Sequence, residues 1–141
     1  MTSTPPPYAC RLLIDARECL VKSEIYRVAG RYHLQAMLIS AVEIGAPFEP
    51  WLTKVVVDED HILSFISSEA HERDIVITEN VELIALLRTN GRCHHFLNNK
   101  GQRWTEKGLV PPLSEKSKGN FRARFVSVLE DEVLELLRTT A

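Results

Sequence analysis

Residues 11 to 31 read Arg-Leu-Leu-Ile-Asp-Ala-Arg-Glu-Cys-Leu-Val-Lys-Ser-Glu-Ile-Tyr-Arg-Val-Ala-Gly-Arg. The apolar run Leu12 to Ile14 stops abruptly on Asp15. A segment of helical period follows, with Leu20, Ile25, Val28 and Ala29 able to share one face. A short continuous apolar run is the mark of a parallel strand buried on both faces. Its carboxyl end, where a helix departs, is where open α/β sheets place their ligand crevice. Asp15 therefore has two readings: a cap for the helix that follows, or a carboxylate at a cleft, suited to a divalent cation.

The same alternation continues along the chain. Strands are expected at residues 10–15, 36–40, 54–57, 74–78 and 93–96, and helices at 20–32, 58–69, 81–89 and 120–137. Pro47 and Pro50 keep the stretch before the third strand irregular. Ile75-Val76-Ile77 is a β-branched run, and Asn90-Gly91 is a good helix stop. Asn98 to Gly101 reads as a turn, and residues 108–120 as a flexible connection. Strands alternating with helices over short connections predict an α/β fold in three layers, a mostly parallel central sheet with helices on both faces.

With 141 residues the chain suits one core. Residues 1–9 read as a disordered tail and 10–141 as a single domain. A composition 45% hydrophobic and 26% charged is that of an ordinary globular protein, and no apolar run is long enough to span a bilayer. Three unpatterned cysteines fit free thiols in a reducing compartment, so a cytoplasmic location is expected. A homodimer stays open.

The net charge of −2 hides an asymmetry. Residues 43–83 hold ten acids against Lys54 and Arg73, whereas residues 84–124 hold nine bases against Glu106 and Glu115. Arg88, Arg92, Lys100, Arg103 and Lys107, joined by Arg17, would form a footprint for RNA or single-stranded DNA if they converged.

Chemistry concentrates at the predicted strand ends. The first offers Asp15, the third Asp58, Glu59 and Asp60, and the fourth Thr78, Glu79 and Asn80. Mg²⁺ takes one or two carboxylates with waters and substrate phosphates, and a held metal can activate water against a phosphodiester. Asp15, Asp58 and Asp60 are the candidate catalytic set, and Asp15, Asp58, Glu79 and Asn80 the candidate ligands of Mg²⁺ or Mn²⁺. Against this, Asp58 and Asn80 also suit helix caps. Phosphate loops, dinucleotide fingerprints, Cys-x-x-Cys pairs and nucleophile elbows do not occur. Adjacent His94 and His95 would point to opposite faces of a strand, which disfavours a zinc site.

Asp15-Ala16, Cys19, Val21-Lys22 and Glu24-Ile25-Tyr26-Arg27-Val28-Ala29 together resemble the opening motif of the YaiI/YqxD family, a largely uncharacterised bacterial family placed with the PIN-like nuclease folds. Asp74 to Thr78 and Gly101-Gln102-Arg103-Trp104-Thr105-Glu106 are similar to its later segments. The resemblance implies a metal-dependent nuclease, with Asp15 as the first metal-binding aspartate and the Asp58 to Asp60 patch as a second contributor. Three departures bear on this. Arg17, Ala41 and Asn80 stand where the family has aspartate, asparagine and aspartate. Arg17 could pair with Asp15 in the cation's place. Two readings follow: a metal-dependent nuclease, or an inactive PIN-like module that binds nucleic acid or a protein partner.

Overall fold

The computed structural model describes residues 9–105, 108–110 and 121–138. Strand β1 (Arg11–Asp15) leads through a short 3-10 turn (Ala16–Glu18) into helix α1 (Lys22–Tyr32) and strand β2 (Gln35–Ser40). Strand β3 (Leu52–Val56), a second 3-10 turn (Glu59–His61) and helix α2 (Ile62–Glu69) follow. Next come β4 (Asp74–Ile77), α3 (Val81–Asn90), β5 (His95–Leu97), β6 (Arg103–Thr105), β7 (Gly108–Val110) and α4 (Phe121–Arg138). One sheet of seven strands is ordered β3-β2-β1-β4-β5-β6-β7. The first five are parallel, and β6 and β7 run antiparallel at one edge.

Alternation along the strands sorts the core into two layers. Leu12 and Ile14 of β1, Ile75 and Ile77 of β4 and Leu38 of β2 pack with Ile25, Val28 and Ala29 of α1 and with Phe125, Leu129 and Val133 of α4. Leu13, Ile39 and Val76 face the other way, onto Ile62 and Ile66 of α2 and Leu83, Ile84 and Leu87 of α3. The expected three-layer α/β architecture is therefore present, with α1 and α4 on one face and α2 and α3 on the other. Glu130 of α4 ties the first pair together, accepting from Arg31 at 2.7 Å and from the Tyr32 hydroxyl at 2.8 Å.

At the amino end of the sheet, Arg11 forks onto buried Asp74 at 2.9 and 2.8 Å and reaches Glu69 at 2.8 Å. This fixes the register in which Arg11 stands beside Asp74.

Four details differ from the sequence reading. Helix α1 begins two residues late, because residues 16–18 first make a 3-10 turn. Residues 59–61 likewise form a 3-10 turn before α2 starts at Ile62. Strand β5 covers His95–Leu97, since its ladder with β4 opens only where His95 meets Ile75. Strand β6 follows the expected Asn98–Gly101 turn in a stretch given no element, and β7 falls at the start of the expected flexible connection. Strands of three residues are too short to leave a period in the sequence. Residues 1–8 of the expected tail and residues 111–120 of the expected connection lie outside the described residues.

Candidate functional site

The strand order reverses direction between β1 and β4. Helix α1 leaves β1 toward β2, and α3 leaves β4 toward β5, on the opposite face. The crevice this opens at the strand carboxyl ends is the expected ligand position of such a sheet. A cleft of about 870 Å³ lies there. Its polar lining includes Asp15, Arg17, Lys22, Glu59, Glu79 and Glu82.

Asp15 is the buried centre, only 6% exposed at the last position of β1. Its side chain accepts from the backbone N–H of Arg17 at 3.3 Å, so it caps the 3-10 turn. The same turn folds the Arg17 guanidinium back onto it. Arg17 Nε donates to Oδ1 at 2.9 Å and Nη2 to Oδ2 at 2.8 Å. Oδ2 also accepts from the Thr78 hydroxyl at 2.8 Å. The third arm of the fork, Nη1, reaches Glu59 Oε1 at 3.1 Å. Planar, bidentate pairing of this kind is the strong form of a charge-assisted bond. The Asp15 hydrogen bonds, ahead of the Asp15 and Glu59 charges, hold the Arg17 guanidinium protonated well above its ordinary range.

The β4 end is built with equal completeness. The backbone N–H of Asn80 donates to Thr78 Oγ1 at 3.0 Å, and Asn80 Oδ1 caps α3 by accepting from Leu83 N at 2.9 Å. Glu79 Oε1 accepts from the Asn99 backbone N–H at 2.7 Å. Trp104 packs against the second core layer and donates its indole N–H to the Thr78 carbonyl at 3.1 Å. Asn98 shapes the turn after β5, its Oδ1 accepting from Lys100 N and Gln102 N at 3.0 and 2.9 Å.

Of the residues expected from sequence, Asp15, Arg17, Glu79 and Asn80 meet in the cleft. Asp58 and Asp60 do not line it. The Asp58 side chain is 90% exposed, lies 3.8 Å from His61 and makes no capping bond, and Asp60 is also exposed. Glu59, between them, is the residue that turns inward. The basic residues are dispersed. Arg88 and Arg92 sit at the far end of α3, where Arg92 donates to the Ser67 carbonyl at 2.9 Å. Arg103 is paired with Glu132 of α4, Lys100 is exposed on its turn, and Lys107 lies outside the described residues.

Sequence reasoning singled out neither Lys22 nor Ser40 for the cleft. Lys22 opens α1 just beyond the 3-10 turn, and no sequence signal marked that turn. The thiols are not poised for chemistry. Burial pushes Cys10 and Cys93 up to about 12, and it also raises Cys19.

Whether these donors fit Mg²⁺ or Mn²⁺ follows from what each already does. A hard cation needs several oxygens free to turn toward it. Both Asp15 oxygens face the Arg17 fork, the Asn80 oxygen closes a helix, and one Glu79 oxygen holds Asn99. Among the described residues, no group of three or more His, Cys, Asp or Glu is placed to hold a metal ion. As arranged, the donor set does not fit the cation, and the positive charge at Asp15 is supplied by Arg17. No helix among the described residues is long and apolar enough to cross a membrane.

Comparison with known proteins places the chain among relatives that share this segment. The model of the uncharacterised YaiI/YqxD family matches residues 13–127. A UPF0178 protein of Gluconobacter oxydans is 32% identical over 149 aligned residues, covering 93% of this chain and 85% of the relative. One from Gluconacetobacter diazotrophicus is 35% identical over 109 residues, covering 76% and 70%. One from a Caulobacter species is 37% identical over 111, covering 77% and 72%. With most of its length matched by the family model, from the first buried strand into the last helix, this chain belongs to the YaiI/YqxD family.

Proposed function

We propose that this chain is a non-hydrolytic binding module, PIN-like in fold, in which Arg17 holds the place a divalent cation would take. One observation carries the reading: the bidentate fork of Arg17 on Asp15, at 2.9 and 2.8 Å, beneath the open cleft. A metal-dependent nuclease needs carboxylate oxygens free to bind the ion that activates water. Here the central carboxylate is neutralised by a residue two positions along the chain. What remains is a shaped crevice at the position where α/β sheets bind ligands.

The test is direct. Single-stranded RNA and DNA are incubated with the wild type and with Asp15→Asn, in Mg²⁺ and in Mn²⁺. The reading expects equal, background cleavage by both proteins. Cleavage by the wild type that Asp15→Asn abolishes would overturn it.

A further inference from the structure

The cleft's lining has a charge and a texture that its internal hydrogen bonds do not account for. Among the described residues, four carboxylates, Asp15, Glu59, Glu79 and Glu82, face two cations, Arg17 and Lys22, which leaves this lining two charges negative. Arg17 neutralises Asp15 and also reaches Glu59, which leaves Glu59, Glu79 and Glu82 against the single charge of Lys22. Beside these acids the walls are apolar. Ala41, Val42 and Ile44 come from the connection after β2, and Val81 from the first turn of α3. Val42 and Val81 are exposed at 65% and 66%, and Phe48, further along the same connection, is fully exposed. Val42 and Val81 thus give the acidic cleft an exposed apolar wall.

A polyanion is the wrong occupant for a negative crevice, because like charges brought together cost affinity. A lysine or arginine side chain is the right one. Its aliphatic stem lies along apolar surface while its charged head meets carboxylates. A second copy of this chain pairing on the free edge of β3 is disfavoured, since antiparallel self-pairing centred on the strand sets Lys54 against Lys54. Resting on the non-hydrolytic reading above, we infer that the cleft docks a basic, partly apolar segment of a protein partner, with a cationic side chain between Glu79 and Glu82 and apolar residues on Val42 and Val81.

The probe is a fluorescein-labelled peptide of alternating lysine and valine, read by fluorescence polarisation against the whole chain. A peptide with glutamate for lysine and a labelled single-stranded oligonucleotide serve as comparisons. The inference expects saturable binding of the basic peptide alone, weakened by salt at about 0.5 M. It expects Glu79→Gln/Glu82→Gln to lower affinity about tenfold or more, as loss of two charge-assisted contacts should. Val42→Ser/Val81→Ser should also weaken binding. The charge-matched pair Glu72→Gln/Asp131→Asn, exposed and outside the cleft lining, should leave it unchanged.

Equal loss in both charge pairs would overturn the inference by showing attraction to the surface at large. Tighter binding of the oligonucleotide, or no binding of the basic peptide, would overturn it too. None of those outcomes touches the non-hydrolytic reading, which fails separately if Asp15-dependent cleavage is found.

Discussion

The residue that decides the chemistry is Arg17. A buried carboxylate without a partner is costly, and the cost of removing one partner exceeds the net worth of the pair. Asp15 has a side chain only 5% exposed, and its partners are Arg17 and Thr78. Arg17→Ala should therefore lower stability by about 2–3 kcal/mol, the penalty of a buried charged acceptor left short of donors. Urea unfolding at neutral pH checks this, and Asp15→Asn/Arg17→Met should recover part of the loss. An Arg17→Ala protein as stable as the wild type would mean that the fork is ornamental. Asp15 and its position at a strand end were legible in the sequence from the break in the apolar run. The pairing was legible as a possibility, because Arg17 stands two residues on. What decides it, the 3-10 turn that swings the guanidinium back, carries no period in the sequence and had to be seen.

At the scale of elements, local signals held where they were chemically sharp. Asn80 caps α3 and Gly91 ends it in a left-handed conformation with φ 68°, as their residue types indicate. Asn80→Ala should cost about 1 kcal/mol. Gly101 matters for another reason. It has φ 74°, and a Cβ there would meet Phe125 Cα at 3.1 Å and Arg124 O at 3.2 Å, both backbone atoms of α4. Gly101→Ala should therefore cost more than Asn80→Ala, about 1–3 kcal/mol from the backbone conformation before the contact is counted. Equal thermal midpoints for the two variants would contradict that ranking.

Glu132 of α4 sets the pH response of the same edge. Burial raises its carboxyl, but hydrogen bonds from His95 and Arg103 outweigh burial and hold it below its ordinary 4.5. A depressed carboxyl contributes stability above its unfolded value and loses it as pH falls through the folded one. The stability gap between the wild type and Glu132→Gln should thus be widest at neutral pH and shrink below 4.5. A gap that is constant across that range would rule out the ionised pair as its source. This contact joins elements far apart in sequence, through β6, a strand too short to anticipate.

For the molecule as a whole, the alternation of apolar strands and amphipathic helices was enough to give the layers. It was not enough to place charges. The bases of the second half would have formed a footprint for nucleic acid had they converged. Three-dimensional order instead takes Arg88 and Arg92 to the opposite end of the sheet, pairs Arg103 with Glu132, and leaves the cleft acidic. Strand order, not charge order along the chain, decides which side chains meet. The account turns on whether Arg17 replaces a metal. A ligand that binds only the native state raises its thermal midpoint. The decisive measurement is a thermal-shift titration of the wild type and Asp15→Asn with Mn²⁺ and Mg²⁺. The account predicts no metal-dependent shift in either protein; a saturable rise in the wild type that Asp15→Asn removes would contradict it.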